Sequence, residues 1–184
     1  MSRRLPVNAL VPGAVLALAL ASNAAAMDAA SSQLGRLDVW QGHWKFEADR
    51  KATPFSRAEV ETGEGKCAWL PNHGYMVCDY LGDKIDPDEG AVPNNLVIFS
   101  YNRAAKNYNR IFMSREGSQD WTVAIAGNIW TAMTEVPRQK GGTADLRDTY
   151  DFVSPAKVMV KTEISIDKGA HWTEISETGL TKVG

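Results

Sequence analysis

The sequence predicts an all-β protein: an up-and-down antiparallel barrel of about ten strands behind one short N-terminal helix. Three observations carry this. From His43 onward, apolar and polar residues alternate with a period of two in short runs, and no later stretch sustains a helical period of 3.6 for two turns. Turn sequences separate the runs at regular spacing: Pro71-Asn72-His73-Gly74, Gly127-Asn128, Ser154-Pro155 and Asp167-Lys168-Gly169. The two cysteines flank the first of these turns symmetrically, so that Cys67 faces Cys78 if Asn72-His73 forms the tip. A two-residue loop would put that pair at a hydrogen-bonded position, the less usual place for a bridge, which points to a longer loop or a bulge. A chain of many short strands joined by hairpins removes its edges by closing on itself; a sandwich is the runner-up.

The ends and the composition set the compartment. Arg3 and Arg4 precede an apolar run from Val11 to Leu20, and Ala24-Ala25-Ala26 supplies a small-residue cleavage pattern before Met27. Residues 1–26 therefore read as a cleaved signal peptide, residues 27–35 as a loose Ala/Ser-rich lead-in, and residues 36–184 as one domain. The apolar run is too short to cross a hydrocarbon core of ~30 Å, so no membrane span is expected after cleavage. A periplasmic or secreted location follows, and it fits two cysteines bridged to each other. Such a loop contributes about 2.5–3 kcal/mol in the chain-entropy picture. Loss of Arg3 and Arg4 takes the formal charge from −2 to −4. Mild, well-mixed acidity argues against a nucleic-acid partner, which needs a concentrated basic face.

The elements follow in order. Leu34, Leu37 and Trp40 fall at helical spacing, and Gly42 ends that turn. Trp44, Phe46 and Ala48 alternate with His43, Lys45, Glu47 and Asp49 in a half-buried first strand. Ala58–Leu70 and Tyr75–Gly82 make the cystine hairpin, and Asp83–Pro93 is a polar loop. Asn95–Tyr101 and Asn107–Ser114 follow, then Trp121–Ala126 and Ile129–Val136 across a Gly127-Asn128 hairpin turn. Asp145–Val153, Val158–Ile166 and Trp172–Val183 complete the set.

Trp40-Gln41-Gly42-His43-Trp44 carries a Gly-x-Trp signature that resembles the opening of the first strand in lipocalin-like (calycin) proteins. Leu37-x-x-Trp40-x-Gly42-x-Trp44, the Trp69-Leu70 hairpin, Tyr101-Asn102…Lys106-x-Tyr108 and Ser165-x-Asp167-x-Gly169-x-x-Trp172 resemble a family of exported bacterial lipocalin-like domains of unknown function. The likeness covers residues 34–183. It implies an up-and-down barrel with a central cavity, and it implies no assigned activity and no catalytic residues. The C-terminal strand lacks the arginine that true lipocalins pack on the tryptophan at the Trp44 position. Gly42 and Trp44 also have a physical role of their own: the glycine lets the chain pass close beneath the barrel, and the indole plugs that end.

Little else carries chemistry. Ser165-Ile166-Asp167-Lys168-Gly169-Ala170-His171-Trp172 matches the Asp-box turn of sialidases, but a single copy reads as a turn and not as a propeller repeat. The three histidines, His43, His73 and His171, share no strand face, so no metal site is expected. No cofactor is expected either; haem on His171 is the one option raised, by analogy with haem-binding barrels. No nucleophile, base and orienting acid can be assembled, and the chain is read as a non-enzyme ahead of a cavity enzyme of isomerase or cyclase type.

The charges that alternation places beside large apolar residues are more informative. Arg110 shares a face with Tyr108 and Phe112; Asp148 shares one with Leu146, Tyr150 and Phe152. These faces look outward, or Arg110 and Asp148 pair with each other, or Arg110 serves a ligand. The ligand reading gives a site formed by Trp69, Arg110, Phe112, Trp130, Asp148 and Tyr150 for a small apolar or carboxylate-bearing molecule. A cell-envelope structural or protein-partner module is the alternative function.

Overall fold

The computed structural model describes residues 33–84, 94–138 and 141–183. The expected signal peptide, most of the lead-in and nearly all of the Asp83–Pro93 loop lie outside the described residues. A helical turn ending in a 3₁₀ segment, Arg36–Trp40, precedes the sheet. Ten strands follow: β1 (Gly42–Arg50), β2 (Glu59–Trp69), β3 (Met76–Gly82), β4 (Asn94–Asn102), β5 (Asn107–Ser114), β6 (Gly117–Ala126), β7 (Ile129–Pro137), β8 (Thr143–Ser154), β9 (Lys157–Ser165) and β10 (Thr173–Val183). Each pairs with its chain neighbour, and β10 pairs with β1, so the sheet closes and no edge is left open. The sandwich alternative is thereby excluded.

β6 begins four residues before the expected Trp121. It joins β5 through the tight turn Arg115-Glu116, with Ser114 opposite Gly117. Gly117, Ser118, Gln119 and Asp120 are all exposed, so this half of the strand has no buried face to write an alternating pattern.

Cys67 and Cys78 are bridged and oppose each other in register. The hairpin is closed by Leu70 N–H donating to Tyr75 O at 3.0 Å, with His73 N–H donating to Leu70 O at 2.8 Å inside it. Pro71 has no N–H with which to close a tighter loop. The hydrogen-bonded pair is therefore Leu70–Tyr75, and by alternation the cysteines fall at a non-hydrogen-bonded pair, where side chains approach more closely. The longer loop anticipated from the bridge is present.

The inner faces form three layers. At the end covered by the 3₁₀ turn, Trp40 enters the barrel and stacks on Phe99 at 5.2 Å. Tyr150 and Phe152 meet it edge-on, at 5.6 and 5.2 Å. Trp44 lies beside it and donates its indole N–H to Trp40 O at 2.6 Å. Lys182, opposite Trp44 on β10, places its ammonium 4.8 Å from the Trp44 ring and donates to Val39 O. Gly42 has φ +130°, and a Cβ there would meet the Lys182 side chain at 3.4 Å, so this turn requires glycine.

Midway up the barrel the inward positions are still closed off: Cys78, Val97, Arg110, Trp121, Ala132 and Asp148 are all buried. Toward the opposite end the same faces open. Phe46, Ala48, Asn95, Phe112, Thr134, Leu146, Thr162 and Ile164 occupy inward parity but are only partly buried. Among the described residues solvent reaches the inward side chains most widely at that end, while at the 3₁₀-turn end it reaches Ile125 and Phe152 beside the buried aromatics. That difference gives the interior the form of a cup.

Two details hold the wall. Gly65 on β2 sits opposite Tyr80 on β3, and a Cβ at Gly65 would lie 2.2 Å from the Tyr80 ring. The phenol lies across the glycine and fills the space a side chain there would need. On the outside, Arg147 Nε and Nη2 donate to Glu163 Oε2 at 2.9 and 2.8 Å, Lys161 approaches Oε1 at 3.1 Å, and Arg147 stacks on Trp172 at 4.1 Å. Burial alone would raise the Glu163 pKa, but the hydrogen bonds from Arg147 and Lys161 outweigh it and hold the carboxyl below its usual value.

Gly65→Ala is expected to lower stability by about 2–3 kcal/mol through overpacking, and by much less in a Tyr80→Ala background. A double-mutant cycle by urea unfolding reads this; additive losses would mean the two residues do not meet. Because the Glu163 pKa is depressed on folding, its contribution is complete above the unfolded value of about 4.3 and is lost as pH falls through the folded value. Glu163→Gln is expected to flatten that acid limb of the stability profile, and an unchanged limb would show that the ion pair is not felt.

Candidate functional site

β5 and β8 are separated by two strands, yet their inward side chains meet inside the cup. Arg110 Nη1 donates to Asp148 Oδ2 at 2.6 Å and also to the Tyr150 hydroxyl. Both charged residues are deeply buried, Arg110 at 4% and Asp148 at 8% exposure. Trp121, opposite Arg110 on β6, carries the guanidinium on its face at 3.9 Å. A desolvated stack of this kind stabilises by about 2 kcal/mol and helps offset the cost of burying the cation.

Burial keeps the phenols of Tyr150 and Tyr80 neutral near neutral pH. Burial raises Tyr150, Arg110 opposes it, and the balance leaves it pushed up to about 12. Burial raises the Tyr80 phenol as well; its hydroxyl lies 3.7 Å from Cys67 Sγ. Burial works against the Arg110 cation, but Tyr150 and Asp148 more than compensate and raise its pKa. The guanidinium is therefore held charged, and Asp148 balances it.

That balance is electrostatic, and hydrogen bonding within the cluster is incomplete. Among the described residues, Arg110 Nε, Trp121 Nε1 and Asp148 Oδ1 are buried and have no partner. Two donors and one acceptor are thus left over in one cluster, although buried polar groups are nearly always paired.

The structure brings together Arg110, Asp148 and Tyr150 of the sequence-predicted residues. Phe112 lies one inward position nearer the mouth, half-buried. Trp130 lies in the floor, 4.8 Å from Phe152 and 6.1 Å from Trp40. Trp69 is held at the floor's rim: its indole N–H donates to Asp38 Oδ1 at 2.7 Å, and its ring lies against His73. Trp121 and Tyr80 were missed. Tyr80 continues the Met76, Cys78 alternation and could have been read. Trp121 could be placed opposite Arg110 only by knowing the Arg115-Glu116 turn.

The other motifs sit outside the cup. Ser165 Oγ accepts from Gly169 N–H and donates to Asp167 Oδ1, both at 2.8 Å. Asp167 in turn accepts from His171 N–H at 2.9 Å and meets the His171 ring at 2.6 Å, which holds its carboxyl well below the usual range. The Asp-box match is a self-contained turn. The His171 side chain is 90% exposed there, so it does not face the interior that a haem would occupy. His43 pairs with Glu64 on the outer wall at 2.9 Å. A separate open groove of about 250 Å³ lies at the closed end, lined by Arg36, Val39, Ile125, Asn128, Trp130 and Phe152 among others.

Two solved structures are similar in fold. The crystal structure of Rv2717c from M. tuberculosis matches with TM-score 0.54 at 10% identity, over 82% of this chain and 97% of that one. The S-type phycobiliprotein lyase CPES from Guillardia theta matches with TM-score 0.54 at 12% identity, over 82% of this chain and 92% of that one. At such identities the likeness is one of architecture. No curated protein matches. Residues 31–182 match the family described as "Protein of unknown function (DUF1579)", and the chain belongs to that family.

Proposed function

We propose that this protein binds a small, largely apolar molecule inside the cup, acting outside the cytoplasm. The observation that carries the reading is the cluster at the bottom: a buried ion pair with donors and an acceptor left without partners, beneath walls of Phe46, Phe112, Leu146 and Ile164. A few polar groups fixed beneath largely apolar side chains are the usual make-up of a small-molecule site. The leader-like N-terminus and the Cys67–Cys78 bridge support export. The fold it shares with a phycobiliprotein lyase fits a barrel that takes a ligand.

The partner-module alternative has one observation behind it. Val77, Ile98 and Ile111 stand side by side on the outer wall of β3, β4 and β5, next to Leu96 and Met113. Nothing in the structure indicates what covers that face, so the interior site is the reading kept.

The purified protein is expected to bind the neutral dye N-phenyl-1-naphthylamine with saturable fluorescence enhancement. Thr162→Trp, which fills the cup beside Asp148, is expected to reduce that enhancement severalfold while leaving the groove at the closed end untouched. Full binding in Thr162→Trp would place the dye elsewhere and remove the reading. Arg110→Ala is expected to cost about 3–5 kcal/mol because it strands Asp148. Arg110→Met combined with Asp148→Leu is expected to recover most of that loss in thermal unfolding.

A further inference from the structure

We infer that the group this site takes at its buried end is a neutral one that both donates and accepts hydrogen bonds, as a carboxamide does, and not a carboxylate. The inference deepens the binding reading above and rests on it. A lone buried arginine would recruit an anion, but Arg110 already has one: Asp148 is bonded to it at 2.6 Å inside the barrel. A ligand carboxylate would have to enter beside the Asp148 charge, with no second cation among the described residues in contact with the pair, which are Tyr150 and Trp121. Like charges brought together in a desolvated site repel strongly.

The unpartnered atoms point the same way. Asp148 Oδ1 can only accept, and a carboxylate has no proton to give it. Arg110 Nε and Trp121 Nε1 can only donate. All three atoms are closed to solvent, so a ligand group reaches them only as the side chains above the cluster give way; a carboxamide N–H then serves the first, and its carbonyl oxygen serves one or both of the others. A neutral carboxylic acid offers the same pattern through its O–H and C=O, so ionisation of the ligand decides its fit. The half-buried Phe46, Phe112, Leu146 and Ile164 above the cluster suit an aliphatic chain on that head group.

The test is displacement of N-phenyl-1-naphthylamine by decanamide and by decanoate, one chain length with two head groups. At about pH 8, where the acid is fully ionised, decanamide is expected to bind at least about tenfold more tightly, because a site built to hydrogen-bond a group rejects an analogue lacking it. Decanoate is expected to gain as pH falls toward about 5 and the neutral acid forms, while decanamide stays level. Asp148→Asn removes the negative charge and is expected to reverse the order at pH 8. If that variant does not fold, the native protein's pH series decides alone. Decanoate binding at pH 8 as tightly as decanamide would overturn the inference and leave the binding reading standing. If neither compound nor the dye binds, both fall.

Discussion

The molecule depends on an ion pair that it keeps out of water. Taking a guanidinium and a carboxylate into a barrel interior costs several kcal/mol per charge, and a pair of apolar residues of similar volume often does as well or better. Arg110 and Asp148 are tolerable only because Tyr150 adds a second acceptor, Trp121 offers its ring, and the strands hold all four at contact distance. Such an arrangement restricts the register of three strands at once. A slip of one residue in β5, β6 or β8 would turn one member outward and leave its partner charged and alone.

The rest of the fold supplies the setting. The 3₁₀ turn delivers Trp40 into one end, where Trp44, Phe99, Tyr150 and Phe152 pack round it and make a floor. Closure of β10 on β1 brings Lys182 against Trp44 at that end. Gly65 and Tyr80 pack together beside the disulfide, which fixes β2 to β3 covalently near the cluster. The opposite end carries no matching plug of buried aromatics among the described residues, and inward side chains there meet solvent. Depth, dryness and access are set by different parts of the chain.

Much of this was legible in the sequence because a period of two is a direct record of which side of a sheet is dry. It gave the strand set, the cystine register and the shared faces of Arg110 and Asp148. The signal failed where both sides are wet: the Gly117–Asp120 half of β6 shows no alternation, so the hairpin that puts Trp121 under Arg110 was invisible. Trp69 shows the opposite error. Its parity is inward, but at the end of a strand parity no longer fixes the partner, and Asp38 of the 3₁₀ turn claims its indole. Cross-barrel contacts such as Arg110–Asp148 depend on strand tilt and closure, which spacing along one strand does not encode; pairing of the two was one of several alternatives the sequence left open.

The most direct measurement is the side-chain NMR signal of the Arg110 Nε–H, assigned through Arg110→Lys and followed during titration with decanamide. If the unpartnered donors and acceptor receive the ligand, this resonance shifts and its exchange with solvent slows, while the signals of Arg50 and Arg147 at the surface stay where they were. A saturable ligand that leaves the Arg110 resonance unmoved would show that the buried pair is structural filling and that recognition happens elsewhere.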